Sequence, residues 1–369
     1  MTTISRRRSR DARARTGDGM TVVALGELLL RLKSPGCERL LQSHVLEATI
    51  GGAEASVVAA LASDGIPAAY VSVVPHGPLG EAALTELRHF GVDVSRIARG
   101  AGRLGIYYFE AGTGHRPARL LYDREGSAMA IADPASFDWP ILLEGAQWLH
   151  VTGITPAISE SAATITLDAV RHAREAGVRV SVDFNHRSSL WRWGKTPVEV
   201  MPEIIAEAHV AIAGREDIQK MLGIQLGGDP KAREPDVESY QALAAEVLRR
   251  FPKLEMVVIA LRETINASHN YWSSILCTRE ANHRSRRWEI TSMVDRIGVG
   301  DAFSAGLLYV FARYGYGQYQ RALEFATAAS SLKHTIPGEI NRVPSGEVEA
   351  LLAADVPLGP SSSNKSRTD

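Results

Sequence analysis

The stretch Asp295-Arg-Ile-Gly-Val-Gly-Asp-Ala-Phe-Ser-Ala-Gly306 decides how the rest of the chain is interpreted. A glycine-bearing turn leads into a strong helical pattern, in which large apolar residues recur at helical spacing and small residues fill the rest. A helix that is apolar almost all round is expected to lie buried in the middle of the molecule. Its N-terminus then presents unpaired backbone N–H groups and the positive end of the helix dipole.

The start of this helix has the properties of a phosphate site. Gly298 and Gly300 allow a ligand to approach the backbone closely, and a helix N-terminus favours an anion, above all a phosphate. Asp301, in the first turn, is placed to accept a proton from a hydroxyl nucleophile beside that anion. The same pattern also describes an ordinary helix cap, because first turns favour acidic residues in any protein. The remaining sequence has to decide between the two interpretations.

The composition is typical of a soluble globular enzyme, with 369 residues, 45% hydrophobic and 22% charged, and a formal net charge of -1. No segment expected to fold carries the basic excess of a nucleic-acid binder, and no stretch approaches the ~18 to 20 apolar residues that span a bilayer. We therefore expect neither nucleic acid nor a membrane as a partner. Cys37 and Cys277 are far apart, which indicates free thiols and a cytoplasmic location.

The two ends of the chain differ from its middle. Arginines cluster between Arg6 and Arg15 with almost nothing apolar among them, which predicts a disordered leader over 1–19. No apolar segment follows this cluster, so a secretory signal is not expected. The serine-rich residues 359–369 predict a frayed tail. One folded domain is therefore expected over 20–358.

Between these ends, short apolar strands alternate with helices. This alternation predicts an α/β fold with a doubly wound, mostly parallel sheet flanked by helices. Residues 103–123 predict a hairpin with the exposed aromatics Tyr107 and Phe109, and together with 31–50 they predict a small second sheet. Strands of the main sheet are predicted at 21–25, 68–74, 146–151, 178–183, 209–213 and 256–261, and helices at 53–63, 79–90, 160–176, 198–207, 238–250, from 300, 318–333 and 345–353.

Two polar clusters follow predicted strands: Asp183-Phe-Asn-His-Arg187 and Arg262-Glu263. Ligands of doubly wound sheets bind beyond the carboxyl ends of the strands. Arginine suits planar anions because its guanidinium donates in a fixed fork. The clusters therefore predict a site for an anionic small molecule at this edge of the sheet.

Three common motifs fail on inspection. Trp193-Gly-Lys-Thr196 resembles the end of a P-loop, but Ser189 occupies the position of the first required glycine. No Gly-x-Gly-x-x-Gly follows the first predicted strand, and the eleven histidines show no spacing of a zinc site. We therefore do not expect a P-loop NTPase, a dinucleotide-dependent oxidoreductase or a zinc enzyme.

Six segments of the chain carry a common pattern: Gly26-Glu27, Pro35-Gly-Cys-Glu-Arg39, Ile50-Gly-Gly-Ala-Glu54, Thr152-Gly-Ile-Thr-Pro-Ala157, Val182-Asp-Phe-Asn-His-Arg187 and the stretch from Asp295 to Phe303. With these segments the chain resembles, over about 21–352, the ribokinase (PfkB) family of carbohydrate kinases, and within it looks most like the 2-keto-3-deoxygluconate kinases. The resemblance implies a ribokinase-like fold, with 31–50 and 103–123 as a small β-sheet lid that excludes water. It also implies ATP-dependent phosphorylation of a sugar acid, with 2-keto-3-deoxygluconate converted to its 6-phosphate.

The resemblance implies a role for individual residues as well. Asp301 would be the base, and the backbone of Gly298, Val299 and Gly300 the anion hole for the transferring phosphate. ATP and Mg²⁺ would be required, a monovalent cation such as K⁺ is a further candidate, and a homo-oligomer through the lid is expected. The sugar acid would be held by Gly51, Gly52, Ser56, Tyr107, Arg116 and Arg187, and the nucleotide by Asn185, Arg262, Gly298, Gly300 and His334.

The chain departs from the family pattern at several positions. Gly214 replaces an asparagine of the family's second motif, which leaves Glu216 and Asp217 to hold the metal through water. Smaller departures are His186 for a tyrosine, Ser56 for an asparagine and Val299 for an alanine.

Two alternatives therefore stay open. Gly214 favours a sugar- or nucleotide-binding regulator with weak catalysis, whereas the intact Asp301 favours an enzyme. A kinase of another sugar (fructose, 2-keto-3-deoxygalactonate or a nucleoside) is the second alternative. Arg187 and Arg116 argue against a neutral substrate, because a neutral polyol gains little from two cations.

Overall fold

The computed structural model describes residues 20–224, 237–291 and 293–354, so the predicted leader and tail lie outside the described residues. The described chain contains ten α-helices: α1 (Ala53–Ser63), α2 (Pro78–His89), α3 (Trp139–Leu142), α4 (Glu160–Glu175), α5 (Pro197–Ala206), α6 (Arg215–Leu222), α7 (Val237–Arg250), α8 (Val299–Tyr314), α9 (Tyr319–Lys333) and α10 (Ser345–Ala353). It also contains fourteen strands: β1 (Val22–Leu25), β2 (Leu29–Lys33), β3 (Glu47–Gly51), β4 (Ala68–Pro75), β5 (Ile97–Gly100), β6 (Gly105–Glu110), β7 (Arg119–Asp123), β8 (Trp148–Thr152), β9 (Arg179–Asp183), β10 (Val210–Ala213), β11 (Met256–Asn266), β12 (His269–Cys277), β13 (Asn282–Arg284) and β14 (Trp288–Ile290).

The main sheet has the strand order β13-β12-β11-β10-β9-β8-β1-β4-β5, with β14 also paired to β12. Within this sheet, the seven neighbouring strands β11-β10-β9-β8-β1-β4-β5 run parallel. The chain moves outward from β1 to β4 and β5, then returns to the other side of β1 at β8. The strand order thus reverses between β1 and β8, which is where a doubly wound sheet binds its ligands. The predicted fold class is confirmed.

The far edge of the main sheet differs from the prediction. Arg262 and Glu263 do not follow a strand but lie inside β11, which continues to Asn266 as an antiparallel partner of β12. The sequence pattern ends at Leu261 because several side chains beyond it are exposed, so the apolar signal is lost there. The antiparallel strands β12–β14 were missed because their sequences mix polar with apolar residues, and antiparallel strands do not need continuous apolar runs.

A second sheet, here called the small sheet, has the order β3-β2-β6-β7 and confirms the prediction from 31–50 and 103–123. The predicted exposure of its aromatics was wrong. Tyr107 and Phe109 are only 3% and 2% exposed, and they pack with Leu29 on β2 and with Ile297. Because alternate residues of a strand share one face, this face of β6 is turned toward the turn that precedes α8.

Helices cover both faces of the main sheet and enclose two apolar cores. Helix α8 is buried from Val299 to Phe311 except at Gly300, as predicted. It packs closely on α9, because a Cβ at Gly306 would lie 2.7 Å from the Cα of Ala326. No helix in the described residues has the length and apolar character needed to cross a membrane. Cys37 and Cys277 are free thiols, as expected.

Candidate active site

A cleft of about 1450 Å³ lies at the carboxyl ends of the parallel strands and against the small sheet. The cleft extends from the reversal of strand order beside β1, where ligands of doubly wound sheets bind, to β11. The small sheet contributes Leu29, Tyr107 and Tyr122, and Arg124 follows its strand β7. The main domain contributes residues that follow β9 and β10 and the start of α8.

The turn into α8 leaves room for a ligand against the backbone. Gly298 has a left-handed φ of 79°, and a Cβ there would lie 1.9 Å from the carbonyl oxygen of Glu339, so only glycine fits. Ala302 makes the first helical bond, donating to the Gly298 carbonyl oxygen at 2.8 Å. The preceding amides of 299–301 have no carbonyl four residues earlier within the helix. These amides form a candidate anion hole on the cleft.

Asp301 lines the cleft in the first turn of α8 and is 7% exposed. Burial raises the pKa of its carboxyl group well above the usual value, and the neighbouring acids Glu339, Asp183 and Glu54 raise it further. A raised pKa makes the ionised carboxylate a stronger base toward a hydroxyl group. The residue therefore has both the position and the basicity of a general base.

Two further carboxyl groups suit a cation. Burial raises the pKa of Asp183, at the end of β9, to about 7, and the charge of Asp217 adds to this shift. Burial also raises the pKa of Asp217, whose Oδ2 accepts the N–H of Gly214 at 3.1 Å. Glu216 is exposed on the same helix turn and pairs with Lys220 at 3.0 Å. In the described residues no three acidic, histidine or cysteine groups converge into a closed metal site, so a magnesium ion here would keep water and phosphate ligands.

Three arginines, here called the arginine wall, also line the site. Arg187, Arg262 and Arg296 all line the cleft. Burial lowers the pKa of Arg296, and the charge of Arg187 lowers it further. Crowded cations of this kind are relieved by a bound anion, which makes this wall a suitable surface for phosphate or carboxylate groups.

Most of the predicted site residues come together in the cleft. The lining includes Asn185, with a φ of 39°, and the buried His334, whose Nδ1 donates to the Ser330 carbonyl oxygen at 2.8 Å. The Tyr107 hydroxyl donates to Glu339 Oε2 at 2.5 Å. Gly51 and Gly52 lie against the same acid, since the Gly52 N–H donates to Glu339 Oε1 at 2.9 Å.

Four predicted substrate residues do not line the cleft: Gly51, Gly52, Ser56 and Arg116. Arg116 lies in the β6–β7 loop, where it donates to Glu110 at 3.4 Å and to the Cys37 carbonyl oxygen. Ser56 is 2% exposed inside α1, and its hydroxyl has no hydrogen-bond partner among the described residues. Arg116 and Ser56 are both close to site residues in sequence. However, the Arg116 side chain bonds within the small sheet and its loops, and the Ser56 side chain is buried in the core.

The model of the family described as "pfkB family carbohydrate kinase" matches residues 21–345. The chain belongs to this family. The protein is therefore a carbohydrate kinase, and the cleft with Asp301 is its candidate active site.

Known relatives share nearly the whole length of this kinase. It is 32% identical to 2-dehydro-3-deoxygalactonokinase of Haloferax volcanii, over 90% of this chain and 96% of the relative. It is 28% identical to 2-dehydro-3-deoxygluconokinase of Thermoproteus tenax, over 91% and 95% of the two chains. The crystal structure of 2-dehydro-3-deoxygluconokinase from Thermotoga maritima matches with a TM-score of 0.84 and 42% identity, over 91% of this chain and 100% of the other.

Several side chains of the kinase's cleft were missed from the sequence. Asp183 and Glu54 stand inside quoted segments but were not singled out, and Arg296 directly follows Asp295. Arg124 is 5% exposed, and its Nε donates to Glu27 Oε2 at 2.6 Å. Glu339 carries no local signal, because only the folded chain brings it to Gly52 and Tyr107.

Proposed function

We propose that this kinase transfers the γ-phosphoryl group of ATP to a hydroxyl group of a 2-keto-3-deoxy sugar acid. The first candidate is 2-keto-3-deoxygluconate, with its 6-phosphate as the product. The observation that carries the proposal is Asp301 in the first turn of α8, beside the amides of 299–301 and in the same cleft as the arginine wall. The relatives named as 2-dehydro-3-deoxygluconokinase and 2-dehydro-3-deoxygalactonokinase support the substrate class.

In the proposed reaction, the hydroxyl oxygen of the sugar bonds to the γ-phosphorus of ATP, and Asp301 accepts the proton of that hydroxyl group. The bond from that phosphorus to the bridging oxygen breaks, and ADP leaves with the electron pair. Negative charge on the transferring group is stabilised by the amides of 299–301 and by Arg262 and Arg296. Phosphoryl transfer depends mainly on such positioning and charge stabilisation.

The acidic groups of the cleft fit a magnesium ion. Asp183 and Asp217 would hold it, with Glu216 reaching it through water, and the ion when bound would neutralise phosphate charge. Both carboxyl groups have raised pKa values in the protein alone, so a cation favours the ionised form that each would need as a ligand.

Recognition of the acid is assigned to Arg187. It is exposed to the cleft, and among the described residues its guanidinium has no carboxylate partner. Arg124, in contrast, forms a buried ion pair with Glu27, so its guanidinium is already paired with a carboxylate. A free guanidinium can take a carboxylate bidentately, which gives a sugar acid an advantage over a neutral sugar.

A substrate screen tests the proposal. ADP release is measured with 2-keto-3-deoxygluconate, 2-keto-3-deoxygalactonate, fructose, ribose and adenosine, at several magnesium concentrations. We expect the sugar acids to exceed the neutral compounds in kcat/KM by about 10- to 100-fold, since a charged hydrogen bond contributes roughly 1.5–3 kcal/mol. The ratio between the two sugar acids assigns the epimer. A neutral sugar or nucleoside as the best substrate would overturn the substrate class, and binding without transfer would indicate a regulator.

A further inference from the structure

Lys333 is a completely buried ammonium group close to the active site. It is the last residue of α9, and none of its surface is exposed. Its Nζ donates to the carbonyl oxygens of Ile336 at 3.0 Å and Gly338 at 2.9 Å. Within the described residues no carboxylate lies within 4.0 Å of it. A buried ammonium is costly unless its donors are satisfied, so these two carbonyl contacts fix the course of the following turn.

The turn that Lys333 holds, residues 336–339, supports the anion hole and the sugar side of the cleft. The Gly338 N–H donates to Asp295 Oδ2 at 3.1 Å, at the start of the segment that leads into α8. Glu339 follows directly, and its carbonyl oxygen packs against Gly298 so closely that a Cβ there would clash. Its carboxylate accepts from Tyr107 and Gly52. A shift of this turn would therefore displace the anion hole and the sugar side together.

The surroundings of Lys333 carry an excess of negative charge. Asp295 is paired with Arg31 at 2.6 Å, and both side chains are buried. His334, the next residue, adds no positive charge at neutral pH because burial lowers its pKa to about 4. The charged groups that act on Lys333 come from four places: Arg31 on β2, Asp295 before α8, Asp301 in α8 and Glu339 after α9. Three acids thus face one arginine, and the ammonium offsets part of the remaining negative charge.

We propose that the Lys333 ammonium is a built-in cation, which holds the 336–339 turn against the anion hole and makes a bound monovalent cation unnecessary. Backbone carbonyls with a nearby carboxylate are the donors that a potassium or sodium ion would use. Here a tethered ammonium already occupies these carbonyls. Lys333 is therefore a positioning residue for phosphoryl transfer, and the inference rests on the proposed kinase activity.

The activity of the kinase should depend on pH through the charge of Lys333. Burial lowers the pKa of Lys333 to about 8. The cation is therefore present at neutral pH and is lost as pH rises through that value. We expect kcat to fall on this alkaline limb in the wild type, and we expect Lys333→Met, which has no group to deprotonate, to lack the limb.

The experiment compares the wild type, Lys333→Ala and Lys253→Ala in KCl, NaCl, NH₄Cl and tetramethylammonium chloride. Lys253 is a surface lysine paired with Glu207 and serves as the control for loss of a lysine. The wild type is expected to change by less than about twofold in kcat between salts, since it needs no ion. Lys333→Ala is expected to lose about 10- to 100-fold in kcat in tetramethylammonium, with a smaller effect on the KM for ATP, and to regain activity in KCl or NH₄Cl.

Melting temperatures in the same salts give a readout that is independent of catalysis. A specific ion stabilises the folded state by mass action, so only Lys333→Ala should melt higher in KCl than in tetramethylammonium chloride. Activation or stabilisation of the wild type by K⁺ overturns the inference without any variant, and so does an Lys333→Ala enzyme with unchanged kcat. A wild type that phosphorylates no sugar acid in any salt contradicts the proposed function instead, and the melting series then still tests Lys333.

Discussion

At the scale of single residues, Arg187 and Arg116 differ in position: Arg187 lies in the cleft, whereas Arg116 lies in the β6–β7 loop of the small sheet. Both were predicted to bind the sugar acid, but only Arg187 lines the cleft. We expect Arg187→Ala to raise the KM for the sugar acid roughly 10- to 150-fold, the equivalent of losing a charged hydrogen bond. Arg116→Ala is the matched control and should change KM by less than about threefold, because Arg116 does not line the cleft. Equal effects of the two variants in steady-state kinetics would show that Arg187 does not bind the acid.

The buried carboxyl group of Asp183 makes stability depend on pH. Its pKa is raised from 3.8 to about 7 in the folded protein, so between these values the folded state binds more protons than the unfolded state. The free energy of unfolding therefore falls as pH rises from about 4 to about 7. Asp183→Asn should raise the melting temperature at pH 8. The corresponding gain in the free energy of unfolding should be at most a few kcal/mol, since one pKa unit is worth about 1.4 kcal/mol.

The pH series also supplies the control for Asp183. The stabilisation by Asp183→Asn should shrink as pH is lowered from 8 to 5, because the wild-type carboxyl group becomes neutral in the folded state. Asp168→Asn, at a partly exposed position of α4, should show no such trend. A difference between Asp183→Asn and the wild type that stays constant over this range would contradict the buried, raised-pKa assignment.

At the scale of elements, the close packing of α8 on α9 depends on Gly306. A Cβ at this position would lie 2.7 Å from the Cα and 3.3 Å from the N of Ala326, so the two helices would have to separate. We expect Gly306→Ala to lower the free energy of unfolding by about 1–3 kcal/mol, as overpacking does. Gly346→Ala is the control, since that glycine lies exposed in α10 with open space around its Cα, and it should gain up to about 1 kcal/mol from helix propensity. Denaturant unfolding of both variants measures the difference, and stabilisation by both would rule out the tight contact.

The elements differ in how far the sequence could predict them. Helix α1 was predicted with its observed bounds, and β1 and β9 within one residue, because a buried parallel strand or helix leaves a clear apolar signal. The second half of β11 left none, since its side chains are partly exposed and its partner β12 is antiparallel. The aromatics of β6 were read as exposed because a strand pattern does not reveal what covers its second face.

The site shows the same limit. Asp301 and Arg187 were found because a local motif surrounds each of them. Glu339 and Lys333 were not, since each acts through partners more than thirty residues away or through a turn whose course depends on packing. Asp183 stood in a quoted segment, but only its burial beside Asp217 singles it out.

At the scale of the whole molecule, the predicted homo-oligomer through the small sheet stays a prediction with a direct test. Leu121 on β7 is 55% exposed and Val45, before β3, is 60% exposed. If a second copy covers Leu121, size-exclusion chromatography with light scattering should give a dimer or larger species, and Leu121→Asp should give a monomer. Ile141→Asp is the control, because Ile141 is 49% exposed on α3 of the main domain. A wild type that is monomeric at micromolar concentration would refute the prediction.

The central claim is that Asp301 is the base of an ATP-dependent sugar-acid kinase. The most direct measurement follows the reaction of ATP with 2-keto-3-deoxygluconate by ³¹P NMR, for the wild type and for Asp301→Asn at matched protein concentration. We expect a new phosphomonoester signal and ADP with the wild type. With Asp301→Asn we expect a rate about 100- to 10,000-fold lower, because a positioned base contributes that much to the rate. ATP affinity, measured by calorimetry, should be unchanged within about threefold, because the variant keeps the shape of the site. A phosphomonoester formed by Asp301→Asn at a rate within about tenfold of the wild type would contradict the account.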